Sequence, residues 1–129
     1  MKIEHLALQV SDPVSLARWY VEHLGLRIKR SQSTPPFGHF LADDGDAVML
    51  EFYNNPALPV PDYRAIDSLA LHLAFLTDDV AATFDRLVRA GATPEAAAKA
   101  NDSGDLIAML RDPWGLPVQL VSRVAPMLE

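Results

Sequence analysis

His5 and His72 hold equivalent places in two copies of one pattern, and imidazoles at matched positions point to shared chemistry. The first copy opens IEHLALQVSD at Ile3 and the second LALHLAFLTDD at Leu69. The shift that carries His5 onto His72 also carries Leu6 onto Leu73, Ala7 onto Ala74 and Asp12 onto Asp79. A duplicated fold unit needs matching apolar residues, but it does not need a matching histidine. Glu51 and Gln119 recur at almost the same interval, each a polar residue between apolar neighbours in VMLEFY and PVQLVS. Two imidazoles, a carboxylate and an amide oxygen form a donor set suited to Zn, Ni, Co, Fe(II) or Mn, with positions left open for water or substrate. With Glu51 ionised, such a site would keep about one net positive charge and favour a bound enediolate or catecholate.

Each residue alone has an ordinary explanation. A strand histidine is commonly hydrogen-bonded, Glu51 has basic residues to pair with, and Gln119 has backbone to bond. Their coincidence at repeat-equivalent positions is what favours one divalent metal ion. The remaining candidates are weaker. His23 falls in the last turn of a helix, where a cation meets the negative end of the dipole. His39 lies near the start of a strand, within reach of a cleft. Trp19 and Tyr20 suit a core or a subunit contact, and Tyr53 follows Glu51 on the same strand face. No Gly-rich phosphate loop, GxSxG elbow or HExxH motif is present.

The elements that must position these residues repeat as well. Alternation in Ile3–Val10 puts Leu6, Leu8 and Val10 on one face and His5 on the other. In the second copy Leu71, Leu73 and Phe75 oppose His72. A helix follows each strand. The first is capped by Asp12 with Pro13 at its first position, stops at Gly25, and buries Leu16, Ala17, Tyr20 and Leu24. The second starts near Asp78 or Asp79, buries Val80, Ala81, Phe84, Leu87 and Val88, and ends at Gly91. Further strands follow near Gly38–Ala42, Ala47–Tyr53, Asp105–Arg111 and Leu116–Ser122, joined through DDGD and DPWG turns. The run AAAKANDSGD, residues 96–105, reads as a mobile surface loop. The expected fold is α+β, two βαβββ modules with mixed sheets forming a metal-binding cleft. Residues 1–129 make one domain, with modules 1–55 and 68–124 joined by a stiff Pro-rich linker, 56–67.

At 129 residues, 50% hydrophobic and 22% charged, the chain is large enough to bury a core and is unlike a disordered segment. A formal charge of −6 argues against a nucleic-acid partner. The absence of cysteine excludes disulfides, Cys-based zinc sites and thiol catalysis. There is neither a signal peptide pattern nor an apolar run long enough to span a bilayer, so a soluble cytoplasmic protein without a membrane partner is expected.

EHLALQVSD, ARWYVEHLGLRI, VMLEFYNN, LHLAFLTDDV and RDPWGLPVQLV together resemble the vicinal oxygen chelate superfamily over nearly the whole chain. That superfamily includes glyoxalase I, methylmalonyl-CoA epimerase, extradiol dioxygenases, and fosfomycin and bleomycin resistance proteins. The resemblance matches His5, Glu51, His72 and Gln119 to the metal-ligand positions and implies a Lewis-acid metal that chelates two neighbouring substrate oxygens. The pattern is nearest to glyoxalase I-like proteins. It implies a lyase or isomerase acting on a small α-hydroxycarbonyl or thiohemiacetal-like substrate, with Glu51 as the base, and a homodimer as the assembly. Two positions depart. Gln119 replaces the last-strand carboxylate, and Gln9 stands where an arginine would help hold glutathione. Both weigh against a glutathione-hemithioacetal substrate. The alternatives are an Fe(II) or Mn(II) extradiol-type dioxygenase and a metal-free sequestering protein of the bleomycin-resistance kind.

Overall fold

Each half of the chain lays one helix across one face of a four-stranded sheet and leaves the other face uncovered by any helix of its own. The computed structural model describes residues 1–128 and divides them into two units, with the boundary between Pro61 and Asp62. The first unit runs β1 (His5–Gln9), α1 (Pro13–Leu24), β2 (Arg27–Ser31), β3 (His39–Ala42) and β4 (Met49–Tyr53). The second runs through a 3₁₀ turn (Tyr63–Ala65), then β5 (Leu73–Leu76), α2 (Val80–Arg89), β6 (Thr93–Ala100), β7 (Leu106–Arg111) and β8 (Pro117–Ser122). The sheet orders are β1-β4-β3-β2 and β5-β8-β7-β6. In each sheet the first strand runs parallel to the last and the other pairings are antiparallel. The expected pair of mixed βαβββ modules is therefore present.

Local chemistry sets the helix ends. Asp12 accepts the Ser15 amide at 3.0 Å, and Pro13 opens α1 where no amide donor is needed. The Ser15 hydroxyl and then its amide hold the Asp12 carboxyl below its ordinary range. Gly25 ends the helix at φ 72°, a left-handed conformation that costs a side-chain-bearing residue about 1 kcal/mol or more. Leu16, Ala17 and Tyr20 are fully buried as expected, and Tyr20 packs on Phe52 with ring centroids 5.0 Å apart. In α2, capped by Asp79 through the Ala82 amide, Val80 and Leu87 are buried while Ala81 faces water. The stripe on that short helix is narrower than its apolar sequence suggests.

Two expectations about irregular structure need correction. Residues 96–100 belong to β6, an eight-residue strand, and only 101–105 form a loop. Alanine has little strand preference of its own, so the pairing with β7 decides the conformation, with register shifts at Pro94/Ala96 and Ala96/Lys99. The loop is ordered by Asn101, which accepts the Ser103 and Asp105 amides. The Val124 amide and then the Arg123 guanidinium bond Asp105 and hold its carboxyl below the usual range. The Pro-rich run is also more than a stiff spacer, since it holds the 3₁₀ turn with Tyr63 buried. No helix among the described residues is long and apolar enough to cross a membrane.

Candidate functional site

Residues paired across a sheet project to the same side, so the register alone assigns the faces. In the first unit Leu8, Phe52 and His39 share the α1 side, whereas Ala7, Glu51 and Phe40 share the opposite side, together with His5 and Met49. The expected inward pair is thus on the helix-free face. His5 and Glu51 are diagonal neighbours, with His5 Nε2 3.4 Å from Glu51 Oε2. That spacing exceeds a good hydrogen bond. Two donors each about 2.1 Å from one ion lie about 3.0 Å apart at a right angle and about 3.4 Å apart at the tetrahedral angle. The pair therefore fits a divalent cation.

His5 is held on its other sides too. Nδ1 bonds the Glu4 carboxylate, and the ring meets Phe40 edge to face at 5.4 Å and 83°. Glu51 divides its oxygens. Oε2 faces His5, while Oε1 lies near the bare α-carbon of Gly38, 3.6 Å from where a Cβ there would sit. The Gln32 carboxamide lies across the same glycine and accepts its amide at 3.3 Å. A side chain at position 38 would crowd both.

In the second unit Ala74, Gln119 and Met109 are paired on the face opposite Val118, Leu120 and Ala108, all three buried on the α2 side. His72 immediately precedes β5 and alternates onto the face of Ala74 and Gln119. Its Nδ1 donates to the Ser68 carbonyl at 2.7 Å. A carbonyl only accepts, so Nδ1 carries a proton, and in the neutral ring Nε2 is then the nitrogen with the lone pair that a metal requires. On the same face a cavity of about 750 Å³ extends from Ala74 past Leu76, Val121 and Arg123 to Pro126 and Met127. Its volume is that of a site for a drug-sized molecule.

Among the described residues no three His, Asp or Glu side chains gather where one ion could be held. What the structure brings together is the His5–Glu51 pair. His39 does not point to the open face: it is buried on the α1 side with Nδ1 donating to the Phe37 carbonyl at 2.6 Å. The alternation that directs Phe40 and Ala42 to the side of Glu51 and Met49 directs His39 away from it. His23 sits beside Trp19 in the last turn of α1, as a helix-end residue should. Glu4, Phe40, Gly38 and Gln32 escaped the sequence reading. Their only signal was adjacency to His5 and to the strand opposite Glu51.

Gln9 also takes on a definite role. It is buried, donates to the carbonyls of Asn55 and Leu58 at 2.8 and 3.1 Å, and accepts the Asn55 amide at 2.8 Å. It staples the chain after β4 to the open face. Replacing Gln9 with Ala would leave the Asn55 amide and the Leu58 carbonyl without partners, while the Asn55 carbonyl keeps the Leu58 amide. We expect a loss of about 2–3 kcal/mol in urea unfolding, with metal affinity unchanged.

These two open faces, each with a histidine at the start of the strand that pairs parallel with the last, have a known counterpart. The sequence pattern of the Glyoxalase/Bleomycin resistance protein/Dioxygenase superfamily matches residues 2–120. The chain belongs to that superfamily. Solved structures of this fold agree. TnmS3, an antibiotic binding protein from Streptomyces sp. CB03234, is 24% identical with a TM-score of 0.72, covering 95% of each chain. A glyoxalase-related enzyme from Fulvimarina pelagi is 23% identical with a TM-score of 0.71, covering 95% of this chain and 88% of that one. SMU.1112c is 30% identical with a TM-score of 0.71, covering 94% of this chain and 98% of that one. No curated protein matches the chain. The superfamily includes both enzymes and binding proteins, so membership alone leaves the reaction open.

Proposed function

We propose that this superfamily member is a metal-dependent lyase or isomerase of the glyoxalase type. In this reading His5, Glu51, His72 and Gln119 serve one divalent ion, and Glu51 takes a carbon-bound proton from a small substrate bearing two neighbouring oxygens. The observation that carries the reading is the 3.4 Å approach of His5 Nε2 to Glu51 Oε2 on the helix-free face. A divalent ion held by these residues supplies Lewis-acid stabilisation for charge developing on the substrate oxygens. The chain supplies the base. Glu51 Oε1 has no hydrogen bond among the described residues, and the absence of a side chain at Gly38 leaves the space beside it unfilled by that residue. The proton moves from carbon to Oε1 and returns to the neighbouring carbon, so the carboxylate is regenerated. Gln119 cannot share this task, because an amide does not accept a proton near neutral pH. The homodimer belongs to the same reading, and light scattering checks its mass.

Metal analysis of the protein as isolated, repeated on His5→Ala, tests the proposal. We expect about one transition-metal ion per chain in the native protein and loss of most of it in the variant. The roughly 750 Å³ cavity favours a second reading, a metal-free protein that sequesters an apolar ligand. That reading takes over if the native protein carries no metal and binds none at micromolar concentration.

A further inference from the structure

We propose that Glu4 is a positioning residue for His5, and that it makes the His5–Glu51 pair the anchoring half of the metal site. The inference rests on the metal reading above and concerns how the two histidines differ. Both have Nδ1 bound to an oxygen, which fixes the proton there and leaves Nε2 as the donor. The oxygens are unlike. His72 donates to the neutral Ser68 carbonyl, whereas His5 donates to the ionised Glu4 carboxylate. A carboxylate behind an imidazole orients the ring and raises its basicity as a ligand, and loss of such a partner typically weakens metal binding about 10–100-fold.

The surroundings add to this difference. Phe40 packs edge to face on the His5 ring, and Phe40 is also the cross-strand partner of Glu51. The ring is therefore fixed at Nδ1 and against its side, with Nε2 aimed at Glu51. Gln119, the proposed companion of His72, is uncharged. Among the described residues, one half thus carries two carboxylates within ion-pair distance of its histidine and the other carries none. Adjacent strand residues normally point to opposite faces, so a Glu at position 4 reaches His5 only because its side chain is long enough to fold back. Its 70% exposure means that bare Coulomb attraction on an ion is screened, so its effect runs through the hydrogen bond.

The test is titration of the metal-free protein with Co(II), followed by its absorption bands, together with ¹⁵N NMR of the histidine rings at a pH where they are neutral. Glu4→Ala should weaken Co(II) binding about 10–100-fold. Glu4→Gln, which keeps an acceptor but loses the charge, should fall between Glu4→Ala and the native protein. Glu22→Gln removes the same charge from the exposed surface beside His23 and should leave affinity unchanged. In the metal-free Glu4→Ala protein the His5 proton should leave Nδ1 while His72 keeps its form, a shift that a merely solvated Glu4 would not cause. His5→Ala should cost more affinity than His72→Ala. Equal affinities for Glu4→Ala and Glu22→Gln, or an unchanged His5 ring, would overturn the proposal. Failure of the native protein to bind Co(II) would sink the metal reading instead, and the NMR result would still decide whether Glu4 orients His5.

Discussion

Glu51→Gln is expected to lower α-proton exchange by about 10²–10⁴ while leaving most of the bound metal in place. The substitution keeps the side chain's length and one carbonyl oxygen, so a ligand remains, but the atom that must accept a proton no longer does. The division of the carboxylate makes the two losses separable. Oε2 faces His5 at 3.4 Å, and Oε1 lies over Gly38. Proton NMR in D₂O measures the rate, with hydroxyacetone and the hemithioacetal of methylglyoxal and a simple thiol as trial substrates. Metal content is measured on the same samples. Glu51→Asp gives a useful intermediate. It keeps a base but withdraws it by one methylene, so the rate should fall less than in Glu51→Gln. If the Gln variant loses metal and rate together, and added metal restores both, Glu51 is a ligand and nothing more.

The parts of this site that the sequence discloses are those governed by short-range rules. Strand alternation places His5 and Glu51 on one face, and the Asp12, Pro13 and Gly25 signals set the limits of α1. Both follow from the period of the backbone and from which groups need caps. What the sequence hides is set by pairing between distant segments or by long side chains. Residues 96–100 look like a loop because alanine carries no strand signal, yet β7 supplies the partner that makes them β6. His39 looks available in the sequence because its strand face depends on a register that β4 determines. Strand alternation assigns Glu4 to the face opposite His5, so the sequence carries no signal for their contact. Gln9 stands where the resemblance implies an arginine contact to glutathione, and its role as a structural staple depends on backbone groups after β4 that only the fold brings to it.

Arg111→Ala is expected to destabilise the second unit by about 3–5 kcal/mol, a large part of the stability of an ordinary domain. Its side chain is 13% exposed and each of its nitrogens is engaged. Nε meets the Glu95 carboxylate, one terminal nitrogen donates to the carbonyls of Tyr63 and Gly115 at 2.8 and 3.2 Å, and the other to Ile66 at 2.8 Å. Removing it strands the Gly115 and Ile66 carbonyls and the Glu95 carboxylate at once, while the Tyr63 carbonyl keeps the Ile66 amide. Glu95→Gln disturbs only one of the four contacts at a more exposed group, so its cost should be well under half as large. Urea unfolding of the two variants gives the comparison. The effect should also reach the site. Arg111 anchors the chain at Ile66, the turn at Asp67 follows, and the next residue, Ser68, holds His72 through its carbonyl. Hydrogen exchange in Arg111→Ala should therefore rise across residues 66–72 under native conditions, where only local opening is sampled. If the variant unfolds more easily but residues 66–72 keep their protection, the arginine stabilises the fold without ordering His72.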